Sequence, residues 1–250
     1  MTLTTLVAFL LIVALASYLQ ALTGFALGIF ALGGVIALNV SSLHTAALVI
    51  SVLMVANVLL ALRNSWGRID AKLTIITLVG MLPGTLGGLW LLEHLSGDYF
   101  STLQILLGVL IIGAGATMFI RPTPRPTLSS HLEFGLIGVL AGIFGGLYGI
   151  AGPPVVYLFY RQPLMVRNIR ATLLAIFGIM SAFRLVVVCL QGNISSDAVY
   201  LSMTSVPVVI VVSAFFALYP PTVSDVLVRR SAFVLLSGMG VFIACTAFLY

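Results

Sequence analysis

Apolar runs of about 20 residues, the length that a helix needs to cross a bilayer, follow one another along almost the whole chain. Of the 250 residues, 61% are hydrophobic and only 7% are charged, and the mean hydropathy is +1.25. Soluble globular domains carry about 25% charged residues, so this composition predicts an all-α polytopic membrane protein. The net charge of +5 does not indicate nucleic-acid binding, because the basic residues lie in short gaps between apolar runs.

Two of the apolar stretches are interrupted by residues that weaken helices. The stretch 3–39 is interrupted at Gln20 to Gly24, and the stretch 131–160 is interrupted at Tyr148 to Pro154. With them the chain has about eight hydrophobic elements. The predicted ordinary spans are 43–62, 73–92, 103–120, 171–190, 198–219 and 231–250.

Basic residues predict which loops are cytoplasmic, because short cytoplasmic loops collect Lys and Arg. By this rule both ends of 131–160 lie in the cytoplasm, since one crossing would export Arg161, Arg167 and Arg170. A straight helix of 30 residues would also measure about 45 Å, against a hydrocarbon core of about 30 Å. We therefore expect a re-entrant hairpin or a pair of short helices at 131–160, and a hairpin entering from outside at 3–39. The basic gaps are 63–72, 121–130, 161–170 and 220–230, whereas 39–43, 93–102 and 191–197 contain no Lys or Arg.

A shift of about 125 residues brings the two halves of the chain into register. We interpret 1–125 and 126–250 as two membrane repeats within a single membrane domain, each a broken hairpin followed by three transmembrane helices. An odd number of crossings per half inverts the second repeat, and inverted repeats with broken helices are typical of secondary transporters. The aligned pairs include Gly24 with Gly149, Gly67 with Gly192, Gly113 with Gly238 and, with a slip of one residue, Pro83 with Pro207.

The interruptions are candidate anion sites. A helix that begins inside the membrane aims its unpaired N–H groups, and the positive end of its dipole, at the break. Glycines permit the unusual backbone, and a proline suits the first turn of the new helix. The two breaks are expected to enclose one small anion. The candidate ligands are Gln20, Thr23 and Gly24 in the first repeat and Tyr148, Gly149, Gly152 and Pro153 in the second. For Gly142, Gly145 and Gly146, close helix packing is the favoured explanation.

Polar residues within the spans narrow the function. No carboxylate lies near the centre of a predicted span, which disfavours a cation carrier built on carboxylates. Arg184, about 10 Å from the end of its span, either binds substrate or extends its long stem to the outer surface. Asn57, at nearly the corresponding place in the first repeat, either contacts substrate or hydrogen-bonds a neighbouring helix. The sequence offers no metal-ligand cluster, cofactor motif or nucleophile–base pair, so it predicts no enzyme, no metal and no cofactor.

Three segments of the chain carry a family resemblance: "TGFALGIFALGG" (Thr23 to Gly34), "LRNSWGRID" (Leu62 to Asp70) and "GVLAGIFGGLYGIAGPPVVYL" (Gly138 to Leu158). They resemble the sulfite exporter family TauE/SafE, which belongs to the superfamily of the toluene-sulfonate uptake permeases. The resemblance covers nearly the whole chain, and it implies a duplicated multi-pass protein of the bacterial inner membrane that moves sulfite, a sulfonate or a related organic anion. The first segment has no proline, which leaves the sharpness of the first break open.

The leading hypothesis is a secondary transporter for a small anion that works by alternating access around the two broken helices. A passive anion channel and a membrane subunit of a larger complex are the alternatives. The expected partners are the anionic substrate and the lipid bilayer. The identity of the anion, the direction of transport, the coupling ion and the formation of a homo-oligomer stay open.

Overall fold

The computed structural model describes residues 3–37, 43–63, 65–94, 112, 124–148, 152–191, 195–219 and 223–246. Within these ranges every regular element is helical, which confirms the all-α prediction. The predicted span 103–120 lies outside the described residues, apart from position 112. The α-helices are α1 (Leu3–Thr23), α2 (Ala26–Ala37), α3 (Leu43–Ala61), α4 (Ala71–His94), α5 (His131–Tyr148), α6 (Gly152–Tyr160), α7 (Val166–Gln191), α8 (Ser196–Leu218) and α9 (Asp225–Thr246).

Helix lengths separate spanning helices from short ones. Among the described residues, α1, α4, α7 and α8 are long and apolar enough to cross a membrane. By contrast, α2 has 12 residues and α6 has 9, which correspond to about 18 Å and about 14 Å of helix. Each interrupted stretch therefore contains a longer helix followed by a short one, and the predicted hairpins stay predictions.

The distribution of polar and apolar side chains is that of a membrane protein. Gln20, Thr23 and Asn57 are completely buried, whereas Leu3 and Leu190 have exposed fractions of 77% and 83%. In a soluble protein such large apolar side chains would be expected inside and the amides outside. A hydrocarbon environment favours the arrangement seen here.

The chain divides into two compact units, each built from both halves of the sequence. The first unit comprises Met1–Ile69 and Arg170–Thr222, and the second comprises Asp70–Ile169 and Val223–Tyr250. In the first unit, α1 packs against α2 and α8, and α3 packs against α2 and α8. In the second unit, α4 packs against α5, α5 packs against α6, and α6 contacts α9.

Glycine backbones hold α4 and α5 together in the second unit. A Cβ atom added at Gly80, Gly84 or Gly88 of α4 would come under 3.0 Å from a backbone oxygen of α5, closer than real Cβ atoms approach. A Cβ added at Gly138 or Gly142 of α5 would meet the backbone of α4 in the same way. Small residues allow this approach between membrane helices. The packing role predicted for Gly142 is confirmed.

Side-chain hydrogen bonds join α3 and α8 in the first unit. Thr45 Oγ1 lies 3.4 Å from Ser195 Oγ at the start of the two helices. Near their ends, Asn57 Nδ2 donates to Ser213 Oγ at 3.0 Å. The two helices therefore run parallel. In the second unit, the contacts between α4 and α5 advance together along both helices, so this pair is parallel as well. If the four basic gaps all lie on one side of the membrane, as predicted, then α3 and α8 must run parallel, and so must α4 and α5.

The helix bounds repeat along the chain. A shift of 125 residues carries the bounds of α4, 71 and 94, to 196 and 219, and α8 is Ser196–Leu218. The same shift carries α1 to 128–148, where α5 is His131–Tyr148. The matching helices α4 and α8 each contain a proline, Pro83 in α4 and Pro207 in α8.

Candidate functional site

The first break is a sharp turn at Gly24. Helix α1 ends at Thr23, and Gly24 has a φ of +90°, a conformation that glycine adopts without the strain of a side chain. A Cβ atom on Gly24 would also lie 3.2 Å from Cα and from the carbonyl oxygen of Arg170. Both the turn and the close approach of α7 therefore require glycine here.

The side chain of Gln20 spans this break. Its Oε1 accepts a hydrogen bond from the backbone N–H of Leu27 at 2.9 Å, in the first turn of α2. Its Nε2 donates to the carbonyl oxygen of Gly24 at 3.3 Å and to Sδ of Met54 at 3.1 Å. Gln20 was predicted as a donor to substrate. In this structure its amide caps the N-terminus of α2, the place where an anion would bind.

Thr23 also bonds within the protein. Its hydroxyl donates to the carbonyl oxygen of Leu19 at 2.7 Å, and the side chain is completely buried. This bond back to the preceding turn is common for Thr in membrane helices. Thr23 therefore lies at the break, as predicted, and its hydroxyl hydrogen is donated to the backbone carbonyl of Leu19.

An arginine lies beside the first break. The guanidinium carbon of Arg170 is 5.2 Å from the centroid of the Phe216 ring, a cation–π contact, and Tyr18 packs edge-on against the same ring at 5.6 Å. The sequence analysis used Arg170 only to assign a loop to the cytoplasm. Its contact with Gly24 could not be read from the sequence, because the two residues are far apart along the chain.

The second break precedes α6, which begins at Gly152 with Pro153 and Pro154 in its first turn. Gly152 is half-buried and Pro153 is buried. Two of the N–H groups that the start of a helix normally leaves unpaired are missing here, because proline has none. Binding of an anion at the N-terminus of α6 stays a prediction. Gly149 and the side chain of Tyr148 lie outside the described residues.

The C-terminal end of α6 is anchored by side chains. Arg229 of α9 donates from Nη1 to the carbonyl oxygen of Tyr160 and from Nη2 to that of Leu164, the latter at 2.7 Å. Gln162 Nε2 donates to the carbonyl oxygen of Leu158 at 2.8 Å. The last turn of a helix leaves carbonyl groups unpaired, and cations are favourable there. These contacts fix the end of α6 that lies away from the break.

From the sequence, Arg229 is only one of the basic residues that assign a loop to the cytoplasm, and its contacts with the end of α6 are not predicted. The side chain has an exposed fraction of 6%. The available signal was its position one turn after the start of α9 at Asp225, where the helix dipole disfavours a cation. An arginine in such a place needs acceptors from another element.

The remaining two candidates lie on helices of the first unit. Asn57 is completely buried and bonds to Ser213, as one of its two interpretations predicted. Its Oδ1 has no hydrogen-bond partner among the described residues. Arg184 is half-buried on α7, which ends seven residues later at Gln191. The predicted role of each in substrate binding stays a prediction.

Comparison with known proteins decides the family. The profile described as "Sulfite exporter TauE/SafE" matches residues 9–243 of the chain. The chain belongs to the sulfite exporter TauE/SafE family. It is 33% identical over 224 residues to the "Probable sulfite/organosulfonate exporter TauE" of Cupriavidus necator, an alignment that covers 90% of this chain and 88% of that protein. No solved structure matches the chain.

Membership of the TauE/SafE family confirms the predicted class. The protein is a multi-pass transporter of the bacterial inner membrane and not an enzyme. The three segments that resemble the family, which begin at Thr23, Leu62 and Gly138, all lie within the matched residues 9–243.

Proposed function

We propose that this TauE/SafE protein is a secondary transporter that carries sulfite, a sulfonate or a related small anion by alternating access around its two broken helices. The observation that carries the proposal is the turn at Gly24, after which a short helix begins in the membrane part of the chain. The substrate class comes from the family and from the printed name of the Cupriavidus necator relative.

The N-terminus of α2 is proposed as an anion-binding position of the first unit. Gln20 Oε1 accepts the N–H of Leu27, so it occupies the place that an oxygen atom of the anion would take. When the anion replaces it, the amide Nε2 becomes available as a second donor. The backbone of Arg170 lies beside Gly24, and its guanidinium lies over the ring of Phe216 in the same unit; we propose that it adds positive charge to the site. Together these groups favour an oxyanion over a neutral or cationic solute.

The N-terminus of α6 is proposed as an anion-binding position of the second unit, with Gly149, Gly152, Pro153 and Tyr148 as its predicted residues. The anchoring of its far end by Arg229 supports this role, because it holds the dipole of α6 in one direction. Asn57 and Arg184 are proposed as additional ligands during the transport cycle.

An inverted duplication supports alternating access. The repeating helix bounds, the two prolines inside α4 and α8 and the two parallel helix pairs all agree with repeats at 1–125 and 126–250. In such transporters the site stays fixed while one bundle moves against the other.

Transport in proteoliposomes tests the proposal. The purified protein is reconstituted and offered radiolabelled sulfite, sulfoacetate, taurine, sulfate and thiosulfate, with protein-free liposomes as the control. We expect saturable uptake of at least one of them, and counterflow when the vesicles are preloaded with the unlabelled anion. Flux that rises linearly without counterflow would identify a channel instead. Failure to move any of the five anions would contradict the proposal.

The variant Arg184→Gln tests, in the same assay, whether Arg184 contacts the anion. If the guanidinium contacts the anion, the concentration of half-maximal uptake rises. Unchanged uptake would return Arg184 to the interpretation in which its stem extends to the membrane surface.

A further inference from the structure

A groove of about 410 Å³ lies between α4 and α5 on the surface of the second unit. Most of its wall is formed by exposed apolar side chains, with exposed fractions of 60% at Ile75 and 72% at Leu132. In the membrane such a wall faces lipid. The lining residues include Ile75, Val79, His131, Leu132, Gly135 and Leu136.

Gly135 leaves open space in the wall of the groove. The neighbouring glycines Gly80 and Gly138 are required by packing, since a Cβ on either would overlap the facing backbone. Gly135 is different: a Cβ added there would meet no atom within 4 Å. Packing between α4 and α5 therefore does not require glycine at this position, and a larger side chain there would take up space in the groove.

One end of the groove is basic. His131, in its lining, is the first residue of α5. On α4, exposed Lys72 precedes Ile75 and Val79 by about one and about two turns, which places all three on one helix face. The nearby carboxylates are already engaged: Glu133 pairs with Arg125 at 2.6 Å, and Asp70 accepts the N–H of Leu73 at 3.0 Å.

We propose that this groove binds a glycerophospholipid of the bilayer, with an acyl chain over Gly135 and the anionic phosphate headgroup at Lys72 and His131. The wall is apolar along its length and basic at one end, as a phospholipid is apolar in its chains and anionic in its headgroup. Because α4 and α5 both follow basic segments, the lipid comes from the cytoplasmic leaflet. This site is independent of the proposed transport function.

Native mass spectrometry of the purified protein tests the lipid site. The protein is mixed with equal amounts of phosphatidylglycerol and phosphatidylcholine, and retained lipid is counted. Gly135→Leu, on α5, fills the groove. Gly87→Leu, on α4, is the matched control, because it adds the same bulk at a glycine that also has open space around it. We expect Gly135→Leu to lose the retained phosphatidylglycerol and Gly87→Leu to keep it. Lys72→Gln should lower the preference for phosphatidylglycerol about five-fold.

Two results would overturn the proposal. One is equal retention of phosphatidylglycerol by Gly135→Leu, Gly87→Leu and the unchanged protein. The other is a dimer that Gly135→Leu converts to a monomer, which would show that a second copy of the chain occupies the groove.

Discussion

The two broken hairpins are held in place by different means. In the second unit, α5 lies against α4 with glycine backbones in contact, and the far end of α6 is clamped by Arg229. In the first unit, backbone approaches backbone at Gly24 and Arg170, whereas α1 meets α8 through the rings of Tyr18 and Phe216, and the side chain of Gln20 closes the break. Backbone contacts cannot shift without overlap, whereas side chains can change rotamer. We therefore expect the second hairpin to be the rigid one and the first to be adjustable.

The glycine interface provides the largest expected effect. Gly84→Ala places a methyl group against the carbonyl oxygen of Val139, and we expect it to cost about 3 kcal/mol of stability, the upper end for overpacking. Gly87→Ala is the matched control on the same helix, because its methyl group would meet no atom within 4 Å. Thermal unfolding in detergent measures both variants. Equal stability of the two would show that α4 and α5 are not in backbone contact.

The clamp at the end of α6 provides the next effect. Arg229→Gln removes charged hydrogen bonds to two carbonyl groups, and we expect a loss of about 2 kcal/mol. Arg230→Gln removes the same charge from an exposed neighbour and should change little. Hydrogen exchange of residues 158–164 gives a local readout that should rise only in the Arg229 variant. Equal exchange in both variants would mean that α6 is held by other contacts.

The smallest effect tests the side-chain interface of the first unit. Asn57→Ala and Ser213→Ala each remove one partner of the bond between α3 and α8. In a double-mutant cycle we expect a coupling free energy of about 0.6 kcal/mol, the average for hydrogen bonds between membrane helices. A coupling of several times this value would make the first unit as rigid as the second and would remove the contrast between them.

Much of the fold follows from patterns in the sequence. The lengths of the apolar runs predict the described helices, and Gly24 predicts where the first interrupted stretch turns. The tight pairing of α4 was also readable from Gly80, Gly84 and Gly88, which recur every fourth residue. The sequence analysis did not use that pattern, because it treated 73–92 as an ordinary span.

The partners of polar side chains could not be predicted in the same way. A buried amide must be hydrogen-bonded, but its partner depends on which helices meet. Gln20 was therefore assigned to substrate, although its acceptor oxygen bonds to Leu27 and its amide contacts Met54, 34 positions away. Arg229 was assigned to topology for the same reason, since its acceptors lie 65 and 69 positions away in the chain.

The central claim is that the N-terminus of α2 binds the transported anion where Gln20 now caps it. Gln20→Glu keeps an oxygen acceptor for Leu27 N–H and adds a negative charge at the N-terminus of α2, while it loses the amide N–H that bonds to Gly24 and Met54. Gln20→Met has a similar length but no oxygen acceptor, so it loses the cap without adding charge. The two variants separate a structural role from an anion-binding role.

The decisive measurement is anion uptake by these two variants in proteoliposomes, compared with their thermal unfolding in detergent. The account predicts that Gln20→Glu transports the anion more slowly than Gln20→Met when uptake is compared per amount of folded protein, because the carboxylate occupies the site and repels the anion. Uptake by folded Gln20→Glu equal to or faster than uptake by folded Gln20→Met would show that Gln20 only supports the turn and would contradict the claim.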